Sequence, residues 1–212
     1  MRSISKGAEP PSLTRHRLSS HADYDNYPDK DTLRRALTDE QRGICCYCMG
    51  RIHPHATAMK IEHWHCQTDY PAEQLDYRNL LAACPGHPHQ PEAQTHCDTH
   101  KGNRPLSFNP ADPGQRIEAL LRFAGDGTIR ADREDIDREL NEVLNLNLAL
   151  LKNKRKATLD GFIQTLSKRQ GELPAAELRR WLSQWDGSAG PGELRPYCQV
   201  VVYWLQKKLA KK

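Results

Sequence analysis

A chain of 212 residues can bury a core without covalent staples, so its seven cysteines call for another reason. The formal net charge of +4, from 31 Lys and Arg against 27 Asp and Glu, suits a polyanionic partner but is too mild to identify one. The N-terminal stretch MRSISKGAEPPSLTRHR has no apolar run fit for a signal peptide, and no window reaches the roughly 18 apolar residues of a membrane span, so a soluble cytoplasmic protein with reduced thiols and no membrane partner is expected.

Residues 1–22, rich in Pro, Ser, Arg and His and lacking periodicity, read as an extended or partly ordered arm. In residues 29–43 Leu33, Ala36 and Leu37 recur at helical spacing, Asp29 or Asp31 can cap the start, and Gly43 can end the helix. Residues 51–53 and 58–64 are expected as two short strands joined by a polar turn, which puts the pair Glu62-His63 at a strand's end. The segment YRNLLAAC at 77–84 reads as a short helix or turn, 85–96 as a loop, and CDTHKG at 97–102 as the start of a helix or turn.

Beyond Pro105 the chain changes character. Residues 116–130 read as a hairpin turning at Asp126-Gly127, with helix left open by Ala119-Leu120-Leu121. Residues 135–169 read as one long helical stretch with Leu144, Leu148, Leu151, Leu159, Phe162, Ile163 and Leu166 near one stripe. Residues 174–185 and 195–209 read as two more helices, whose Trp181, Leu182, Val201, Trp204 and Leu205 can pack against it. The expected class is α+β, divided into the arm 1–22, a zinc-bearing module 23–110 and a mainly helical region 111–212 serving as scaffold or partner dock.

The sulfur and imidazole are concentrated. Cys45, Cys46, Cys48, Cys66, Cys84 and Cys97, with eight of the ten histidines, fall within residues 43–102, the ligand mixture on which a zinc site draws. The two-residue gap between Cys45 and Cys48 lets one turn present two thiolates to one ion. Cys84 and Cys97 would complete a structural Zn²⁺ site that pins both ends of the module. Replacement of one thiolate by His87, His89 or His96 stays open, and Cys46 and Cys198 read as small buried hydrophobes.

Hydrolysis of a phosphodiester needs a base to activate water and a cation to neutralise charge on the leaving side. His63 has the imidazole for the first role. Glu62 and Asp98 have the oxygen ligands of a hard catalytic Mg²⁺ or Mn²⁺ ion. The Asn79 amide could bond the backbone of the loop carrying His63 and hold its tautomer, and Lys101 could contact phosphate. Lys152, Lys154, Arg155 and Lys156 could meet further phosphates or form a solvated helix face. Without catalysis the same residues describe a zinc-stabilised nucleic-acid-binding module or a regulatory subunit.

The run Cys45-x-x-Cys48, Ile61-Glu62-His63, Asn79-Leu80-Leu81-x-x-Cys84 and Cys97-Asp98-x-x-Lys101-Gly102 resembles the HNH endonucleases with a zinc-bound ββα-metal fold. The resemblance implies metal ligation by Glu62 and Asp98, general-base catalysis by His63, loop organisation by Asn79 and zinc held by Cys45, Cys48, Cys84 and Cys97. Asp98 stands where that family has His or Asn, Trp64-His65-Cys66 lacks the family's proline, and twelve residues separate Cys84 from Cys97 instead of two. From about residue 20 to 210, including Tyr24-Asp25-Asn26-Tyr27 and Val143-Leu144-Asn145-Leu146-Asn147, the chain is similar to the HNH nuclease subunit of Septu anti-phage systems, also found with some retrons. That likeness implies a nuclease acting on DNA ahead of tRNA or other RNA, and an ABC/SMC-like ATPase partner. The chain has no GxxxxGK[ST] phosphate loop of its own.

Overall fold

The computed structural model describes residues 1–167 and 173–212. Residues 1–22 do not form an arm: Pro11 opens helix α1 (Pro11–Arg17), where its missing N–H costs nothing, and Met1 and Leu13 are fully buried. A helix of seven residues is too short to show a stripe, so its packing left no trace in the periodicity. Helix α2 (Lys30–Glu40) follows its pattern, with the Asp29 carboxylate accepting from the Thr32 N–H at 3.4 Å and Leu33 and Leu37 one turn apart on the buried face. The chain then reverses through Arg42 and Gly43, both at positive φ. At Gly43 the φ of +75° lies in the left-handed region that glycine adopts without strain.

Strand β1 (Lys60–His63) forms where expected, but with a different partner. Residues 51–53 form no strand; an isolated bridge joins Arg51 to Ile44. Instead β1 pairs antiparallel with β2 (Leu80–Ala83), in register from Lys60 opposite Ala83 to His63 opposite Leu80. Residues 77–84 are therefore not a helix beyond one 3₁₀ turn, Tyr77–Asn79, whose Arg78 N–H is capped by Asp76. Every residue of β2 is buried, so the segment lacks the alternation that marks a half-exposed strand. Its outer edge is closed by a side chain: Gln41 accepts from Ala82 N–H and donates to Ala82 C=O, both at 2.7 Å.

Helix α3 (Asp98–Lys101) is a single turn. Helix α4 (Ile117–Leu120) leads directly into strand β3 (Leu121–Phe123), which turns at Gly127 into β4 (Ile129–Ala131), so both readings of this region hold in succession. The long helix is interrupted: α5 (Glu134–Arg138) runs into a π turn (Glu139–Val143), and α6 (Ala149–Ser167) starts after a break. In the break Asn145 adopts φ +49° and donates to the Ala93 and Thr95 carbonyls, while Leu144 and Leu146 turn fully inward. The helix end expected at Arg169 lies outside the described residues. Helices α7 (Ala175–Trp185) and α8 (Cys198–Leu209) complete the fold, with Phe162 of α6 meeting Trp181, Trp185 and Trp204 edge-on at 5.4–5.9 Å. Among the described residues no helix is long and apolar enough to cross a membrane.

Candidate metal centre and carboxylate–histidine site

The turn after Ile44 presents two cysteines because its backbone closes on itself. Cys45 N–H donates to Gly50 C=O and Met49 N–H to Cys45 C=O, with Met49 at φ +64°. Cys84 follows β2 directly, and Cys97 precedes α3. Zn–S bonds of about 2.3 Å set the sulfurs of a tetrahedral site about 3.8 Å apart. The Cys45 and Cys97 sulfurs lie 3.9 Å apart and those of Cys48 and Cys84 3.7 Å, with all four within 4.8 Å of one another. The donor set therefore fits a structural zinc ion. Burial pushes the Cys97 thiol up, whereas thiols donating to Cys45 outweigh its burial and hold it down. Four thiolates so close need a cation to coexist. Cys97 also sits at φ +56°, ψ −140°, backbone that side chains rarely adopt and that costs on the order of 1–3 kcal/mol.

The histidines lie outside the sulfur cluster. His96 Nδ1 is 3.2 Å from Cys97 Sγ and 3.8 Å from Cys84 Sγ, close enough to hydrogen-bond a thiolate. Burial lowers its pKa, so it is neutral there. His87 packs its ring on His96, and His89 is exposed. Cys46 and Cys198 are buried outside the group of four, though the Cys46 thiol hydrogen-bonds that of Cys45.

A second set of polar groups gathers where β1 ends. Lys60 and Glu62, two residues apart and so on one face of the strand, both reach Asp98 at the start of α3. Glu62 is almost wholly buried. Its Oε1 accepts from Tyr47 Oη at 2.7 Å and pairs with Lys101 Nζ at 2.9 Å. Burial first, and contact with the Asp98 carboxyl second, raise the Glu62 pKa well above the ordinary carboxylate range. Burial acts in the same sense on Asp98, but hydrogen bonding from Glu62 and the charge of Lys60 outweigh it and hold that carboxyl low. The two acids thus titrate apart, with Asp98 the more exposed.

His63 is 8% exposed. Its Nε2 lies 3.0 Å from the Gln74 carbonyl, an acceptor, so in the neutral ring Nε2 carries the proton and Nδ1 the lone pair. The Tyr24 ring packs edge-on against it at 4.5 Å. Burial lowers the His63 pKa against the opposing Gln74 carbonyl and Asp98 charge. Asn79 ties the loop after His63: its Oδ1 accepts from His65 N–H at 2.7 Å, and its Nδ2 donates to the His65 and Glu73 carbonyls at 3.0 and 3.3 Å. Its own carbonyl accepts from Trp64 N–H.

Two cations expected to contact phosphate point inward. Lys101 is 1% exposed, with Nζ held by Glu62 and, at 3.2 Å, the His63 carbonyl. Arg155, also 1% exposed, donates to the Gly127 and Leu146 carbonyls and to Asn147 Oδ1. Neither is available to nucleic acid. Lys152 pairs with Asp126 and Lys156 with Asp160, leaving Lys154 exposed without an ion pair among the described residues. Tyr47, Lys60, Tyr24 and Gln74 join the site in the structure; in the sequence, Lys60 is marked by its two-residue spacing from Glu62 and Tyr24 by its place in the Tyr24-Asp25-Asn26-Tyr27 run. The chain matches no protein-family model and no curated protein sequence.

Proposed function

We propose that this chain is a zinc-stapled nuclease of the HNH type, hydrolysing phosphodiester bonds in nucleic acid, DNA ahead of RNA. One observation carries the reading: β1 and α3 bring the Glu62 and Asp98 carboxyls together beside a neutral His63 whose loop Asn79 holds. The order β1, β2, α3 around these groups, with the four cysteines flanking β2 and α3, supports the reading. His63 Nδ1 takes the proton of an attacking water, and Tyr24 and the Gln74 carbonyl fix the ring that receives it. Glu62 and Asp98 would hold Mg²⁺ or Mn²⁺ through their carboxylate oxygens, and the ion would supply neutralisation of charge on the leaving oxygen. An ABC/SMC-like ATPase partner and a role in anti-phage defence belong to the same proposal, supported by the sequence resemblance.

A second reading, a non-catalytic zinc-stabilised nucleic-acid-binding or regulatory subunit, is favoured by a different observation. The Lys101 ammonium already occupies Glu62, and among the described residues the four cysteines are the one group of three or more metal-ligating side chains. The readings separate when supercoiled plasmid and total RNA are incubated with the protein in Mg²⁺ or Mn²⁺, with and without the ATPase, beside His63→Ala. Cleavage lost in the variant at unchanged zinc content supports the nuclease. Equal behaviour of the two proteins supports the second reading.

A further inference from the structure

Trp64 follows His63 and lines a cavity of about 840 Å³ on which none of Glu62, His63 and Asp98 opens. The N-terminal segment forms one wall, fastened by Ile4 N–H to the Pro110 carbonyl at 2.8 Å and by Ser3 to Glu118. Residues 109–118 form another. Two features of the lining point to one ligand chemistry. Trp64 ends a ladder of rings, its centroid 4.1 Å from His65, which stacks on Tyr70 at 4.2 Å. Its indole N–H is already committed to the Phe108 carbonyl, so what it offers the cavity is ring surface.

The charges are the second feature. The carboxylates on the cavity are engaged: Glu118 accepts from Ser3, and Asp112 from the Gly114 N–H. The exposed guanidiniums of Arg78 and Arg116 have no hydrogen-bond or ion-pair partner among the described residues. Planar forks left free beside an aromatic surface match a ligand with a flat ring at one end and a phosphate at the other.

We propose that this cavity binds a phosphorylated nucleoside, its base laid on Trp64 and its phosphate held by Arg78 and Arg116. Free nucleotide and a unit of a polynucleotide strand share this chemistry. The inference is independent of the cleavage reaction, because the cavity shares no side chain with the carboxylate–histidine site.

The test is calorimetric titration of the full-length zinc-loaded His63→Ala protein, which leaves polymers intact, with adenosine 5′-monophosphate, adenosine, inorganic phosphate and a decathymidylate. Adenosine 5′-monophosphate is expected to bind with a sub-millimolar Kd, and adenosine and phosphate roughly tenfold more weakly or worse. The double variant Arg78→Ala/Arg116→Ala, altered at exposed positions alone, should lose at least about tenfold with unchanged zinc content, whereas Lys154→Ala should bind normally. Competition by the decathymidylate assigns the site to a strand, and absence of competition to a free nucleotide; either outcome upholds the shared chemistry. No binding of nucleotide or decathymidylate, binding indifferent to the double variant, or phosphate binding as tightly as the nucleotide overturns the proposal. Plasmid and RNA cleavage by the unmutated protein, followed separately, reports on the nuclease reading alone.

Discussion

Glu62 has conflicting demands placed on it: a carboxyl in a nearly dry site, beside a second carboxyl, with one ammonium for company. Lys101→Met removes that ammonium. Leaving a buried polar group without its partner costs on the order of 1–3 kcal/mol. Here the cost depends on pH in a definite direction. The folded Glu62 carboxyl already holds its proton above the ordinary value of 4.5, and without Lys101 it holds it higher still. The folded state then binds more protons than the unfolded one above pH 4.5, so stability falls as pH rises. Urea unfolding at pH 5 and about pH 8 should show the larger loss at the higher pH; a loss independent of pH would mean that Lys101 acts by packing alone. His63 has the opposite dependence. Its pKa lies below the ordinary 6.5, and in the proposed nuclease the neutral ring is the form that takes the proton. Cleavage should therefore rise with pH, pass half-maximum below 6.5 and level off by about pH 7, whereas a midpoint above 6.5 would point to another base.

At the scale of the element, Arg155 corrects a reading made from the helix surface. It stands in the run Lys152 to Lys156, but its guanidinium turns inward to hold the β3–β4 turn and the break before α6 through Gly127, Leu146 and Asn147. Arg155→Ala leaves the Gly127 and Leu146 carbonyls without their side-chain donor and should destabilise the fold by on the order of 3 kcal/mol, with no change in nucleic-acid affinity beyond that of unfolding. Thermal unfolding beside filter binding measures both; weakened binding at unchanged stability would return Arg155 to the surface. Here lies the limit of legibility. Helices α2 and α7 show in the pattern because each buries one face, and α8 shows by its apolar run, buried all round from Cys198 to Val202. Strand β2 does not, since both its faces are buried, and neither does the break before α6, which two asparagine side chains impose by contacts distant in sequence. The four cysteines were legible because spacing and chemistry coincide. The inward course of Lys101 was not, because periodicity cannot tell a buried ion pair from an exposed one.

In the whole molecule the sulfur cluster is where separate stretches of chain meet. The C-terminal region closes on it through Tyr197 N–H to the Met49 carbonyl and Cys97 N–H to the Leu144 carbonyl, both at 2.9 Å. Loss of zinc should therefore loosen both the site and the helices packed on it. Cys45→Ser should lower metal content and the unfolding temperature together, while Cys46→Ser, at a buried cysteine outside the four, should keep one zinc per chain. Elemental analysis with calorimetric unfolding checks this; loss of zinc in Cys46→Ser would reassign the ligands.

The carboxylate pair separates a nuclease from a binding module most directly through its ability to hold a second ion. Mn²⁺ binding followed by electron paramagnetic resonance, on zinc-loaded protein and on Glu62→Gln, measures it. The expected result is one Mn²⁺ site beyond zinc that disappears in Glu62→Gln with zinc retained. No Mn²⁺ site in the unmutated protein, or one untouched by the substitution, would contradict a reaction centre at Glu62, His63 and Asp98 and leave the four-cysteine site as the protein's one metal centre.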